Sequence, residues 1–249
     1  MEFALLSYPS VPSTMDLATE AVLGGAEEGL VIAADEQTAG RGRRGRAWSS
    51  PPGAGLYFSL ILRPPCGVGD AGTLALITLC AGVGVREGVM RTSGLATLLK
   101  WPNDVMCGPR KLAGILAEGH AIGTANQAIV LGIGVNVRRS TYPPDVAARA
   151  TSIENELGHV PDRASLLSGI LASLSAWYAR LRNGDADGIL RAWREAAPSA
   201  VGSRVVWADG ERQGVTAGVD DSGALLVTTA AGVERIVAGE LRWLEPEPA

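Results

Sequence analysis

Cysteine and histidine are scarce in this sequence of 249 residues. The three cysteines, Cys66, Cys80 and Cys107, are odd in number and show no CxxC spacing, which argues against a disulfide framework and a zinc knuckle. The two histidines, His120 and His159, belong to no HExxH motif, and no GxSxG motif accompanies them. Hydrolysis by a catalytic triad or by a histidine-bound metal is therefore poorly supported.

Long apolar runs are also missing. No stretch approaches 18 uninterrupted apolar residues, and no basic-then-apolar signal segment opens the chain. We therefore expect a cytoplasmic protein in a reducing compartment with no membrane partner. An apolar fraction of 47% and a charged fraction of 19% are typical of a soluble globular protein. The net charge of −4 indicates that any phosphate must be held locally.

Lysine is the third scarce residue type. Of the 22 basic residues, only Lys100 and Lys111 are lysines. A compact ammonium group differs from a planar guanidinium in shape and hydration, so these two positions are candidates for chemistry. The alternative is that two lysines lie near each other in the sequence by chance.

Periodic apolar runs predict two domains. Residues 1–197 contain predicted strands at 2–7, 29–34, 56–62, 98–101, 105–107, 111–118 and 129–137. The helices are predicted after Ser13, at 73–89, at 165–181 and at 188–196, and 138–150 is predicted to be a long loop. Short β-rich runs separated by glycine turns predict a small β-barrel or meander at 198–249.

A loop of alternating glycines and arginines follows the second predicted strand. Gly40-x-Gly42-x-x-Gly45 matches the dinucleotide-binding string, but it leads into Trp48-Ser-Ser-Pro-Pro rather than a helix. Glycine N–H groups and guanidinium forks bind oxyanions, so we expect an anion-binding loop that becomes ordered when it is filled. A solvated or RNA-binding tract is the alternative, which the net acidic charge and the single nearby aromatic residue disfavour.

A second cluster follows in Lys100-Trp-Pro-Asn-Asp104 and Arg110-Lys111-Leu-Ala-Gly114. A hairpin would bring Asp104 beside Lys111, and such a pair could grip a nucleoside triphosphate with its magnesium. Gly114 would leave room for a flat ligand. The alternative is a surface hairpin with an ion pair. Downstream, Asn136 ends an apolar strand and requires a hydrogen-bond partner, which could be a backbone group or a ligand.

Together these motifs resemble those of biotin protein ligases. The resemblance lies in Gly40-Arg-Gly-Arg-Arg-Gly-Arg46 with Trp48, Lys100-Trp-Pro-Asn-Asp104, Arg110-Lys-Leu-Ala-Gly-Ile-Leu116 and Gly132-Ile-Gly-Val-Asn136. Ser13-Thr14 and Gln37 resemble further family motifs, and the order and spacing match over essentially the whole chain. The resemblance is to the monofunctional form, because no helix-turn-helix precedes the first predicted strand.

The resemblance implies an α+β fold: a mixed-sheet catalytic domain with helices on one side, similar to class II aminoacyl-tRNA synthetases, and an SH3-like β-barrel at the C-terminus. It implies an enzyme that activates biotin with ATP and Mg²⁺ to biotinyl-5′-AMP. Biotin is then transferred to a lysine of a biotin carboxyl carrier domain. No DNA partner is expected, and a homodimer stays open.

The resemblance also implies roles for individual residues. Ser13, Thr14, Gln37, Gly40, Gly42 and the Arg41 backbone would hold the biotin head. Arg43 and Lys111 would hold the carboxylate and α-phosphate. Asp104, as the candidate magnesium contact, and Gly114, Asn136 and Trp48 would lie around the adenylate. The loop 138–150 would fold over adenine.

One further departure and two alternatives accompany this interpretation. Met15 stands where many relatives carry asparagine, which leaves one polar contact in doubt. Lipoate ligases and octanoyl transferases share the fold, but their Arg-Arg-x-Ser-Gly-Gly-Gly loop and following histidine are missing here. A non-catalytic module that binds biotin or a nucleotide is the other alternative.

Overall fold

Two β-sheets organise the computed structural model of this protein. The structure describes residues 1–65, 71–140, 142, 144–237, 239 and 241–244, so Cys66 lies outside the described residues. Seven strands form a mixed sheet in the order β1-β2-β3-β7-β6-β5-β4. Its first pair, β1 and β2, is parallel, and the other neighbours are antiparallel. Its strands are β1 (Ala4–Tyr8), β2 (Leu30–Ala34), β3 (Gly55–Leu62), β4 (Leu98–Lys100), β5 (Asp104–Cys107), β6 (Arg110–His120) and β7 (Ala128–Asn136).

Helices cover both faces of the larger sheet. The described helices are α1 (Thr14–Leu23), α2 (Ala71–Ser93), α3 (Pro144–Ala147), α4 (Ile153–Leu157), α5 (Arg163–Arg182) and α6 (Ala186–Ala196). Side chains of α2, α5 and α6 share the main core with Phe58 and Leu131, whereas α1 packs in a smaller cluster with Ile61 and Val130. Adjacent residues of one strand point to opposite faces, so these two clusters lie on opposite sides of the sheet.

The mixed sheet with helices confirms the predicted fold class, with one correction. The predicted arrangement, with helices on one side of the sheet, holds for α2, α5 and α6. Helix α1 lies on the other face. The sequence signal for α1 was its Ser13 cap, which the structure confirms: Ser13 Oγ accepts a hydrogen bond from the Met15 N–H at 3.2 Å. A cap signal defines where a helix begins but does not define which face of a sheet it covers.

The sequence predicted a long loop at 138–150, but the structure shows that this segment is not a continuous loop. It contains the single-turn helix α3, and α4 follows shortly after it. Both helices are too short for a periodic apolar pattern to reveal them. The end of the segment is pinned to β6, because the Lys111 N–H donates to Arg149 O at 2.7 Å and the Thr151 N–H donates to Lys111 O at 2.9 Å.

Five strands form a second, antiparallel sheet at the C-terminal end, in the order β11-β10-β9-β8-β12. They are β8 (Val201–Trp207), β9 (Arg212–Val219), β10 (Leu225–Thr229), β11 (Gly232–Ile236) and β12 (Arg242–Trp243). This sheet is consistent with the predicted SH3-like domain. The division into 1–197 and 198–249 stays a prediction. Trp101 connects the two sheets, since its indole N–H donates to Gly223 O at 3.0 Å.

Two glycines allow α2 and α5 to approach closely. A Cβ at Gly88 would lie 2.5 Å from Ile170 Cα, and one at Gly84 would lie 3.1 Å from Leu174 Cα. Both obstacles are backbone atoms of α5, which cannot rotate away. A Cβ at Gly82 would lie at an ordinary distance of 3.5 Å from the nearest Leu99 methyl carbon. The helix therefore keeps Gly88 for packing, despite the low helix propensity of glycine.

None of the helices in the described ranges is long and apolar enough to cross a membrane.

These glycines give a matched pair of substitutions. Gly88→Ala should lower the free energy of unfolding by about 1–3 kcal/mol, because an added methyl group forces α2 and α5 apart. Gly82→Ala should be neutral or stabilising by up to about 1 kcal/mol, because alanine favours the helix and finds room. Urea unfolding followed by circular dichroism measures both. Equal effects of the two substitutions would contradict the packing argument.

Candidate active site

A cavity of about 320 Å³ opens beside the ends of β5, β6 and β7. Its lining contains most of the residues predicted from the sequence: Thr14, Gln37, Arg41, Gly42, Arg43, Trp48, Asp104, Lys111 and Gly114. Ser13, Gly40 and Asn136 are not in the lining. The structure thus brings together residues that are up to 100 positions apart in the chain.

One end of the cavity carries a network of uncharged polar groups. The carboxamide oxygen of Gln37 accepts hydrogen bonds from the Thr14 N–H at 2.9 Å and from the Thr14 hydroxyl at 3.1 Å. The Gln37 carboxamide nitrogen donates to Ser50 Oγ at 2.9 Å, and the Thr14 hydroxyl lies 2.8 Å from Ser59 Oγ. Ser59 is fully buried on β3. Each partner restricts the next, so this end presents hydrogen-bonding groups in fixed positions.

Ser13 and Met15 shape the same end in different ways. Ser13 is fully buried and caps α1, so it orients Thr14 without lining the cavity. Met15 lines the cavity, and a Cβ at Gly132 would lie 2.4 Å from its sulfur. The thioether therefore fills the space that Gly132 leaves on β7. In this chain the position that carries asparagine in many relatives provides an apolar contact surface.

The glycine–arginine loop folds as a short 3₁₀ turn at Arg43–Gly45. Arg44 has a φ of 58°, in the left-handed region that non-glycine residues rarely adopt. The loop is closed at its base by a hydrogen bond from the Trp48 N–H to Gly40 O at 2.8 Å. A Cβ at Gly40 would lie 2.6 Å from Trp48 O, so only glycine fits at this position. Gly40 thus shapes the base of the loop, although it does not line the cavity.

The arginines of this loop point in different directions. Arg41 pairs with Asp16 at 2.9 Å and donates two hydrogen bonds to the Glu118 carboxylate at 3.0 and 3.1 Å. Arg43 donates to Asn103 Oδ1 at 3.2 Å, and the Asn103 carboxamide nitrogen donates to Ile115 O at 2.7 Å. Arg43 thus has an uncharged hydrogen-bond partner in Asn103, whereas Arg41 is held by two carboxylates.

Lys111 and Asp104 form the expected ion pair across the β5–β6 hairpin, with Lys111 Nζ 2.6 Å from Asp104 Oδ1. The two atoms are not aligned for a hydrogen bond, and Asp104 Oδ1 has no other hydrogen-bond partner within the described residues. Coulombic attraction therefore holds this pair, and the carboxylate can accept a further ligand. Lys111 Nζ also lies 5.2 Å from the centre of the Trp48 ring, within the range of a cation–π contact.

Trp48 occupies the space above two glycines of the sheet. A Cβ at Gly134 would lie 2.4 Å from the Trp48 Nε1, and one at Gly114 would lie 2.9 Å from its ring. The sequence predicted that Gly114 leaves room for a flat ligand, and the space above it holds the side chain of Trp48. The Trp48 Nε1 is buried without a hydrogen-bond partner in the described part of the chain. This donor could therefore bind a ligand acceptor.

Asn136 lies outside the cavity and supports it. The residue is buried, and its carboxamide nitrogen donates to Thr151 O at 2.9 Å. Thr151 in turn bonds the backbone of Lys111, so Asn136 helps to hold the strand that carries the lysine. The sequence indicated correctly that Asn136 needs a partner, and the partner found is a backbone carbonyl.

Trp243 was absent from the site predicted by sequence, and Lys100 was predicted only as a candidate for chemistry, without a binding role. Lys100 Nζ lies 4.5 Å from the centre of the Trp243 ring, which β12 of the smaller sheet supplies. Burial lowers the pKa of Lys100, and the nearby charge of Lys111 lowers it further, whereas Asp104 raises it. Lys100 was visible as one of two lysines in the chain. No sequence signal connects Trp243 to Lys100, which lies about 140 residues earlier in the chain.

The described residues contain no cluster of three or more histidine, cysteine, aspartate or glutamate side chains that could hold a metal ion. Asp104 is the one carboxylate residue among the described residues that line the cavity. A tightly held structural metal does not fit this donor set. A magnesium ion that keeps its waters and arrives with a polyphosphate needs only one or two protein carboxylates, and the single carboxylate of Asp104 fits that requirement.

The fold and the cavity define a class of ligand-binding α+β domain with an uncharged polar end and a cationic end. A model of the biotin/lipoate A/B protein ligase family matches residues 7–136, and the chain belongs to this family. It is 34% identical over 241 residues to the bifunctional ligase/repressor BirA of Bacillus spizizenii, covering 95% of this chain and 73% of that protein.

Two further relatives match most of the chain. The biotin–[acetyl-CoA-carboxylase] ligase of Paracoccus denitrificans is 36% identical over 217 residues, which cover 84% of this chain and 88% of that protein. The structure of the biotin protein ligase from Aquifex aeolicus in complex with biotin and ATP has a TM-score of 0.81 and 27% identity. That match covers 97% of this chain and 99% of the other, so it includes the smaller C-terminal sheet.

The contact between Trp48 and Gly134 can be tested by a double-mutant cycle. Gly134→Ala should lower the free energy of unfolding by about 1–3 kcal/mol, because its methyl group would overlap the indole. The same substitution should cost at least about 0.5 kcal/mol less in a Trp48→Ala background, where the overlap is gone. Urea unfolding of the four proteins gives the coupling. Additive effects would show that Trp48 does not pack on Gly134.

Proposed function

We propose that this protein is an ATP-dependent biotin protein ligase that acts on a carboxyl carrier domain. Family membership and the relatives named as biotin–[acetyl-CoA-carboxylase] ligases support this activity. The observation that carries the proposal is one cavity with two unlike ends. Thr14 and Gln37 present uncharged hydrogen-bonding groups at one end, and Arg43, Lys100 and Lys111 present positive charge at the other.

Biotin matches this division. Its ureido ring is neutral and rich in hydrogen-bonding groups, so it would occupy the end formed by Thr14 and Gln37, beside the backbone of Arg41 and Gly42. Met15 would contact the apolar part of the head. The valeryl chain would then place its carboxylate near Arg43 and Lys111. Ser13 and Gly40 would act from outside the lining, by orienting α1 and the loop base.

The first chemical step joins two anions. A carboxylate oxygen of biotin attacks the α-phosphorus of ATP, the bond to the β-phosphate oxygen breaks, and pyrophosphate leaves. Cations that are already in place stabilise the charge that develops on the phosphoryl oxygens, and they need little reorganisation. Arg43 and Lys111 are held by Asn103 and Asp104, so they are suited to this role.

Asp104 would contact the magnesium ion that accompanies ATP. When bound, that ion supplies charge neutralisation between phosphate oxygens. Trp48, Gly114 and the segment 138–150 would surround the adenosine, and Asn136 would act by holding Thr151 against the strand of Lys111. In the second step, the amine of an acceptor lysine attacks the acyl carbon, AMP leaves and the amine loses a proton. The carrier domain of a biotin-dependent carboxylase would supply that lysine.

A direct assay separates this function from the alternatives. The protein is incubated with ATP, magnesium and either biotin or lipoate, with and without a carboxyl carrier domain. We expect biotin-dependent pyrophosphate release and label on the carrier lysine. Activity with lipoate in place of biotin would favour the related lipoate ligases. Binding of biotin or nucleotide without pyrophosphate release would favour a non-catalytic module, and either result would overturn the proposal.

Lys111→Arg tests the need for a compact ammonium group. Arginine keeps the charge, but its planar fork is larger and cannot take the same place between Asp104 and the Trp48 ring. We expect the rate of adenylate formation to fall about a hundredfold or more, with the unfolding midpoint nearly unchanged. The matched control is Arg110→Lys, since the neighbouring Arg110 pairs with Glu156 and does not line the cavity. Adenylation at the original rate in Lys111→Arg would refute the role.

A further inference from the structure

Arg41 is engaged by two carboxylates at once. Its guanidinium donates to both oxygens of Glu118 at 3.0 and 3.1 Å, and it lies 2.9 Å from Asp16 Oδ1. Bidentate arginine–carboxylate pairs are more directional than single ion pairs, and a shared guanidinium makes this contact a small network. Its side chain is 38% exposed, so solvent weakens the network without removing it.

The three residues of this network come from three elements around the same end of the cavity. Asp16 lies in the first turn of α1, directly after Thr14 and Met15, which line the cavity. Glu118 lies on β6, two positions after the lining residue Leu116. Arg41 belongs to the loop between them. The ion pairs therefore join the loop to both walls of the cavity at its uncharged end.

The charge balance argues against a role for the Arg41 side chain in holding the anion. One positive charge is matched by two negative charges, so the network adds no net positive potential to the cavity. Arg43, in contrast, is oriented by the neutral carboxamide of Asn103. The Arg41 side chain is therefore placed to fasten the loop rather than to hold the anion.

We infer that Arg41, Asp16 and Glu118 form a latch that holds the glycine–arginine loop across the cavity and limits the escape of bound biotin. The inference rests on the proposed function and adds a positioning residue to it. Without Arg41 the loop would lose its ion pairs to α1 and β6, and this loss would favour an open loop. The latch should act on dissociation, because it must open before the ligand leaves.

The test measures the dissociation rate of labelled biotin in a chase with unlabelled biotin. Arg41→Gln should release biotin about three- to tenfold faster, the range expected for a partly exposed charge network. Arg41→Lys keeps the charge but loses the bidentate geometry, so its rate should be intermediate. Arg91→Gln is the matched control: Arg91 forms an exposed ion pair with Glu87 on α2 at 3.7 Å, outside the cavity, and its loss should leave the rate unchanged.

Two further measurements distinguish a latch from a general loss of structure. Wild-type release should accelerate as salt is raised, whereas release from Arg41→Gln should respond less, because screening acts on the network. Glu118→Gln should add little in the Arg41→Gln background, since the partner is already gone. Unfolding midpoints should stay close to that of the wild type. A wild type that binds biotin and releases it as fast as Arg41→Gln overturns the latch alone, and a wild type that binds no biotin overturns both the latch and the function.

Discussion

Mutual repulsion between cations is the constraint on which the rest of this site depends. Seven positively charged residues are among the described residues that line the cavity, and Asp104 is the one carboxylate residue there. Such a cluster is unfavourable unless partners or a bound anion offset it. The fold distributes these charges over separate partners: Asp104 for Lys111, the Asn103 carboxamide for Arg43 and two carboxylates outside the lining for Arg41. These contacts reduce the repulsion within the cluster.

Small residues and aromatic residues have complementary roles in the same cavity. Gly114 and Gly134 on adjacent strands leave a shallow surface that the Trp48 ring covers, and Gly132 leaves the space that Met15 fills. Side chains from a loop and from α1 therefore form the cavity lining together with residues of β6 and β7. The shape of the cavity consequently depends on how that loop is held, and the Arg41 contacts help to hold it.

The sequence motifs predicted those parts of the site that depend on residues close together in the chain. The hairpin between Asp104 and Lys111 follows from turn residues and strand alternation, and it formed as expected. The face of the sheet that α1 covers, the pairing of Arg41 with Glu118 and the approach of Trp243 to Lys100 depend on long-range packing, for which local spacing carries no information. Asn136 was predictable only in part. Its need for a hydrogen-bond partner follows from its place in an apolar strand, but the identity of that partner does not.

The scarcity of lysine acquires a physical meaning from its location. Both lysines of the chain line the cavity, and each ammonium group lies over a tryptophan ring, Lys100 over Trp243 and Lys111 over Trp48. Arginine provides structural ion pairs elsewhere: a bidentate pair with Glu118 and further pairs with Asp185 and Glu28. An ammonium group concentrates its charge in a small volume on a flexible stem, so it can lie between an aromatic face and a phosphate where a planar guanidinium would need more room. Trp48 comes from the loop between β2 and β3 and Trp243 from β12, which makes the smaller sheet a structural part of the cationic end.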